Sequence, residues 1–154
     1  MPLSQLLNAE RIVILVEPGD RDAVLDAAAR LLADAGIAER TPRAQAIGAS
    51  LRSRERLGST AIGHGIAIPH GRTDAFEDAR GAFLRLDRPV DFDAADGQPV
   101  DLVFAMAVPE HYVQQHLQLL AELAARFADP GFRASLRAAP DLARLRSLLL
   151  EDAA

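Results

Sequence analysis

Between Leu102 and Val108 the chain runs Leu-Val-Phe-Ala-Met-Ala-Val with no polar interruption, and this stretch most constrains the fold. A strand with one face in water alternates apolar and polar residues, and this one does not, so both of its faces must be covered. The run is far too short to cross a bilayer. It therefore reads as the middle of a sheet, within a strand from Val100 to Val108. A second apolar run, Gly81 to Leu86, precedes it across a polar turn at Asp96-Gly97.

The rest of the chain supplies helices to cover such a sheet. A short helix over Leu3 to Asn8 leads into a strand, Ile12 to Val16, that ends at the Pro18-Gly19 turn. Asp20 reads as a helix N-cap, with Val24, Leu25, Ala28, Leu31 and Leu32 at helical spacing until Gly36 stops the helix. Thr41, with Pro42 at the first helical position, opens a helix through Ala44, Ile47 and Leu51 toward Gly58. After Pro109 a helix from about Val113 to Ala128 places Leu117, Leu120, Leu123 and Phe127 on its core face. Two closing helices follow, Gly131 to Ala138 and Asp141 to Leu150, the last capped by Asp141 after Pro140. The expected fold class is α/β, a mixed central β-sheet flanked by helices on both faces. At 154 residues, with no repeat or low-complexity linker, 1–154 reads as a single domain able to bury roughly two thirds of its surface.

Composition removes several function classes. Cysteine is absent, which excludes disulfides and thiolate metal sites. All 17 basic residues are arginine, so lysine chemistry such as Schiff-base formation is excluded. The net charge is -5 with acids and bases interleaved, which offers nucleic acid no basic stripe. Met1-Pro2-Leu3-Ser4-Gln5 lacks the flank and core of a signal peptide, so a soluble cytoplasmic protein with no membrane insertion is expected.

The chemistry concentrates in Gly58-Ser59-Thr60-Ala61-Ile62-Gly63-His64-Gly65-Ile66-Ala67-Ile68-Pro69-His70-Gly71. Ile66, Ala67 and Ile68 read as a buried strand, Pro69 ends the ladder by removing an N–H, and Gly71 permits close approach of a backbone or a phosphate oxygen. On that reading His70 sits at a rigid strand end, facing solvent. This segment resembles the active-site signature of the enzyme IIA proteins of the bacterial phosphoenolpyruvate-dependent phosphotransferase system, fructose/mannitol class. The pairing of Gly58-Ser59-Thr60 with Gly63-His64-Gly65-Ile66-Ala67-Ile68-Pro69-His70-Gly71 is nearest to the nitrogen-regulatory branch, which often has asparagine where this chain has His64. Pro89 to Asp93 and Asp96 to Phe104 resemble the family's middle strands and turn, and the match is specific from about Leu51 to Asp129.

The resemblance implies an enzyme IIA type 2 domain that carries a phosphoryl group on His70 as tele-phosphohistidine. It matches Arg54 and His116 to the family's arginine and second histidine beside the phosphorylated ring, and puts Glu55 at the signature's acidic or amide position. Histidine suits reversible transfer, because its neutral ring nitrogen is nucleophilic near neutral pH. Arg54 offers a guanidinium to two phosphoryl oxygens, and His116 should point inward at the edge of its helix's apolar stripe. The implied partner is a histidine-phosphorylated carrier of the HPr type, with further partners among potassium-transport and sensor-kinase regulators.

Other readings stand beside this one. A sugar-transport enzyme IIA would pass the group to an enzyme IIB domain, and a pure binding module would need neither Arg54 nor His116. A lone histidine is more often structural than catalytic, so His116 without the family match would be a core-edge residue and His64 and His111 are read as loop residues. No cofactor is implied. The segment is no P-loop, lacking the lysine and hydroxyl, and His111 and His116 do not have the helical spacing of a metal pair.

Overall fold

The computed structural model describes residues 3–35 and 40–151. Two 3-10 turns, Leu3–Gln5 and Ala9–Arg11, lead into β1 (Ile12–Leu15). Then follow α1 (Arg21–Leu32), α2 (Pro42–Leu57), β2 (Ala61–Gly63), β3 (Ile66–Ala67) and β4 (His70–Thr73). The two long strands are β5 (Arg80–Val90) and β6 (Val100–Pro109), and α3 (Gln114–Phe127), α4 (Pro130–Ala138) and α5 (Leu142–Leu150) close the chain. The expected caps are made: Asp20 accepts from Ala23 N–H, Thr41 from Ala44 N–H and Asp141 from Arg144 N–H. Gly36, expected to stop α1, lies outside the described residues; the helix itself ends at Leu32.

The sheet runs β1-β5-β6-β3-β2, with β4 also paired to β6. It is mixed: β1 is parallel to β5, β5 and β6 are antiparallel, and β3 and β4 both lie parallel to β6. β6 is the covered central strand that its apolar run predicts. Its Val103, Ala105 and Ala107 pack into a core with α1 and α2, while Leu102, Phe104, Met106 and Val108 pack on the opposite face against residues of α3, α4 and α5. Neighbouring β5 divides in the same way, with Leu84 and Leu86 on the first face and Phe83 on the second.

Two expectations about elements fail for tertiary reasons. Leu117 is not in the core but 69% exposed, because only the C-terminal part of α3, through Leu123 and Phe127, presses on the sheet. The chain also builds a strand where none is expected: β2 pairs antiparallel with β3 across the His64-Gly65 turn. Both turn residues have positive φ, 57° and 77°, the geometry that a tight two-residue hairpin requires. His64 sits in the left-handed region that asparagine, aspartate and histidine enter more readily than other side chains do. Asp96 accepts from its N–H at 3.1 Å, and Arg137 donates to its carbonyl while pairing with Asp101.

Candidate functional site

Pro69 interrupts a strand without ending the sheet. It has no N–H to give, yet its carbonyl accepts from Met106 N–H at 2.9 Å, and β4 resumes at once with His70 opposite Met106. β3 and β4 are thus two pieces laid along one edge of β6. His70 is therefore not a solvent-facing strand end: it opens β4 and is only 8% exposed. Gly71 behind it allows the close approach expected of it, and the neighbour is helix α2. A Cβ there would lie 3.1 Å from Ser50 Cβ and 3.3 Å from Leu51 N.

The imidazole of His70 is oriented by its own strand. Nδ1 lies 2.9 Å from the carbonyl oxygen of Ile68, and since a carbonyl only accepts, Nδ1 carries the hydrogen. The lone pair of the neutral ring is then on Nε2. His116 on α3 stands edge-on to this ring, with centroids 5.0 Å apart and planes at 78°. Its own Nε2 is buried and has no hydrogen-bond partner among the described residues. Arg54, from the last turns of α2, donates to Gly58 O at 2.8 Å and lines a groove of about 340 Å³ shared with His70. Ser59, Thr60 and Ile62 form more of one wall, and Leu120, Ala121 and Ala124 of α3 form the other.

Glu55 is 2% exposed and both of its oxygens are committed. One accepts from Thr60 N–H and the other from the Thr60 hydroxyl, each at 2.7 Å. This carboxylate bolts the Gly58–Thr60 loop onto α2, and the loop in turn accepts Ile68 N–H through Thr60 O at 3.1 Å. The groove wall next to His70 is thereby held by buried, fully paired polar groups.

Arg72 carries a role that sequence reasoning missed. Its guanidinium donates to Glu110 O at 3.2 Å and to Tyr112 O, tying β4 to the segment that leads into α3. Its position two residues after His70, on the same side of the strand, was the available signal. His64 and His111 are exposed and stand outside the site; His111 rests edge-on against Tyr112.

Burial pushes the pKa of His70 below its ordinary value, and the charges of Arg54 and Arg72 push the same way. The Nδ1 bond to Ile68 and the charge of Glu55 offset part of this. His116 is also lowered, first by desolvation and then by His70, Arg72 and Arg54. Both shifts favour the neutral form of the rings. A neutral nucleophilic nitrogen beside a guanidinium and a second imidazole whose Nε2 has no hydrogen-bond partner among the described residues can attack a phosphoryl group and bind its oxygens.

Comparison with known proteins places the chain in a family. Residues 5–152 match the family described as the phosphoenolpyruvate-dependent sugar phosphotransferase system, EIIA 2. A nitrogen regulatory protein of Pseudomonas aeruginosa is 41% identical over 151 residues, covering 97% of this chain and 95% of that protein. The crystal structure of nitrogen regulatory protein IIA-Ntr from Neisseria meningitidis superposes with a TM-score of 0.82 at 35% identity, covering 96% of this chain and 98% of that one. The mannitol IIA of Escherichia coli shares the fold, with a TM-score of 0.73 at 21% identity over 93% of this chain and 98% of that one. With a mixed sheet between helical layers and relatives matched along nearly their whole length, the chain belongs to the EIIA 2 family of the phosphotransferase system, alongside the nitrogen regulatory proteins.

Proposed function

We propose that Nε2 of His70 takes a phosphoryl group from the phosphohistidine of a small carrier protein of the HPr type. The chain is a phosphocarrier and regulatory component of a nitrogen-related phosphotransferase system, and this step is how it is loaded. The observation that carries the reading is the commitment of His70 Nδ1 to the Ile68 carbonyl, which puts the only lone pair of the neutral ring on Nε2. Nε2 attacks phosphorus in line as the donor's P–N bond breaks, and the departing imidazole keeps the electron pair. One P–N bond replaces another, so the exchange draws on no cofactor.

Arg54 is the residue for the charge on the phosphoryl oxygens. Its guanidinium is half-buried at the groove and tied to a single carbonyl, an interaction it can exchange for two charge-assisted bonds. His116 offers the orphaned Nε2, which as an N–H donor gains a partner when a phosphoryl group occupies the site. We take 1–154 as one EIIA type 2 domain working in the cytoplasm, where such a carrier operates. Among the described residues no helix is long and apolar enough to cross a membrane. Potassium-transport and sensor-kinase regulators are the downstream partners to test.

The experiment is to incubate the protein with phosphoenolpyruvate and the general phosphotransferase proteins, then weigh it intact. An acid-labile phosphoryl adduct is expected on the parent and not on His70→Ala. A parent with no adduct, or an adduct that survives in His70→Ala, overturns the proposal. Binding of each candidate regulator to phosphorylated and unmodified protein then identifies the partner that reads the modification.

A further inference from the structure

The register of β4 on β6 sends successive residues to opposite layers. His70 lies opposite Met106 and Arg72 opposite Val108, and Met106 and Val108 belong to the sheet face that α3, α4 and α5 cover. Gly71, between them, faces α2 through Ser50 and Leu51. His70 and Arg72 therefore share the side of the sheet on which α3 brings the His116 ring to 5.0 Å from that of His70.

Core packing does not hold that end of α3. The fully buried residues of the helix are Leu123 and Phe127, its N-cap Val113 makes no side-chain bond, and His116 is its third residue. The start of the helix depends instead on the chain just before it. There Glu110 N–H donates to Thr73 O at 3.2 Å, and Arg72 spans what lies beyond: its Nη1 donates to Glu110 O at 3.2 Å and to Tyr112 O. Two hydrogens on one nitrogen meet two carbonyls, so the guanidinium fixes the shape of the 110–112 turn as well as its distance from β4. Neither of these partners is a carboxylate, so neither neutralises the charge. The pKa of His116 is lowered by desolvation first, then by His70, and then by Arg72 ahead of Arg54, which puts Arg72 within electrostatic reach of that ring.

We propose that Arg72 is a positioning residue for phosphoryl transfer: by tying the 110–112 turn to the strand that carries His70, it sets where α3 starts and so holds His116 against the His70 ring. The inference rests on the transfer to His70 proposed above. Displacing a donor by roughly 1 Å can cost on the order of 100-fold in rate, and a residue that acts through His116 cannot cost more than the loss of His116 itself.

The experiment compares the parent with Arg72→Gln and Arg72→Lys in rapid-quench transfer over a range of phosphorylated carrier concentrations. The Arg72 side chain is exposed, so both variants should fold. Arg72→Gln should lower the maximal rate by about 10-fold to 100-fold and leave the half-saturating carrier concentration unchanged. Arg72→Lys should recover most of that rate, because an ammonium also brings several hydrogens on one nitrogen to the two carbonyls. In a His116→Ala background Arg72→Gln should slow transfer no further, whereas in an Arg54→Ala background the two losses should multiply. A readout independent of transfer is the NOE between the His70 and His116 ring protons in the unmodified protein, expected in the parent and in Arg72→Lys and weakened in Arg72→Gln. The inference is overturned if that NOE is undiminished in Arg72→Gln, if the loss falls on the half-saturating concentration, or if Arg72→Gln still slows the His116→Ala protein. A parent that takes no phosphoryl group overturns the reading at His70 instead, and the NOE then still decides whether Arg72 places His116.

Discussion

The two walls of the His70 groove are made differently. The α2–β4 wall is closed before any phosphoryl group arrives: Glu55 spends both oxygens on Thr60, His70 is pinned by Ile68, and Gly71 presses against Ser50 and Leu51. The α3 wall is open. Val113 caps α3 without a side-chain bond, Leu117 is exposed, His116 has a buried nitrogen with no hydrogen-bond partner among the described residues, and only Leu123 and Phe127 of that helix are fully buried. Arg72 is the strap between the two. On the proposed function, one wall holds the nucleophile still, and the other is completed by what it binds. That is the division expected of a carrier that must both accept and release a group, because a site with every donor already satisfied has nothing left to offer the transferred phosphoryl.

The sharpest way to break this contrast is to separate rate from stability. His116→Ala should slow phosphoryl transfer by about 100-fold to 1000-fold, as should Arg54→Ala, since each removes one preorganised donor. Rapid-quench measurement of the transfer rate checks this, and urea unfolding of His116→Ala should stay within about 1 kcal/mol of the parent. A large stability loss in His116→Ala would put α3 among the rigid parts.

On the other wall the order reverses. Gly71→Ala forces a Cβ against Ser50 and the backbone of Leu51, and should destabilise by about 1–3 kcal/mol. Glu55→Ala leaves a buried N–H and a hydroxyl without an acceptor and should cost a similar amount, about 1–3 kcal/mol, read from the urea midpoint. Unchanged midpoints in both variants would remove the distinction between the walls.

Acid should act through the same histidines. In the unfolded chain they titrate near the ordinary 6.5, whereas in the folded protein both His70 and His116 lie lower. Between the folded and unfolded values the unfolded chain binds more protons, so stability rises with pH through that window and levels off above it. Unfolding measured across the window should show a shallower slope for His70→Gln than for the parent. The smallest effect is expected at Leu117: Leu117→Ser should leave the urea midpoint within about 0.5 kcal/mol.

Much of the architecture was legible because its causes are local. Asp20, Thr41 and Asp141 cap the helices they were expected to cap, since a cap involves one side chain and an N–H three residues on. The two-sided burial of β6 follows from its unbroken apolar run. Leu117 shows where periodicity stops. Helical spacing says which residues share a face, but where along α3 that face meets the sheet depends on the crossing of the helix. Pro69 shows a similar boundary, for a missing N–H predicts a break in pairing and cannot predict that β6 will take up the same chain again one residue later.

By itself, the sequence determined the layered α/β class and the helix starts, its Gly58–Gly71 segment pointed to His70, and the family resemblance added Arg54 and His116. The class and the helix starts are matters of residue type and short-range spacing, and backbone sterics and hydrogen bonding act at that range. Only the tertiary structure decided that His70 is recessed rather than displayed, that its Nδ1 is occupied, and that Glu55 is a buried clamp. It also decided that His116 arrives 5.0 Å away with a nitrogen to spare. Each of these results from segments far apart in the chain being packed together, and burial then sets both the protonation of the rings and which donors remain unspent.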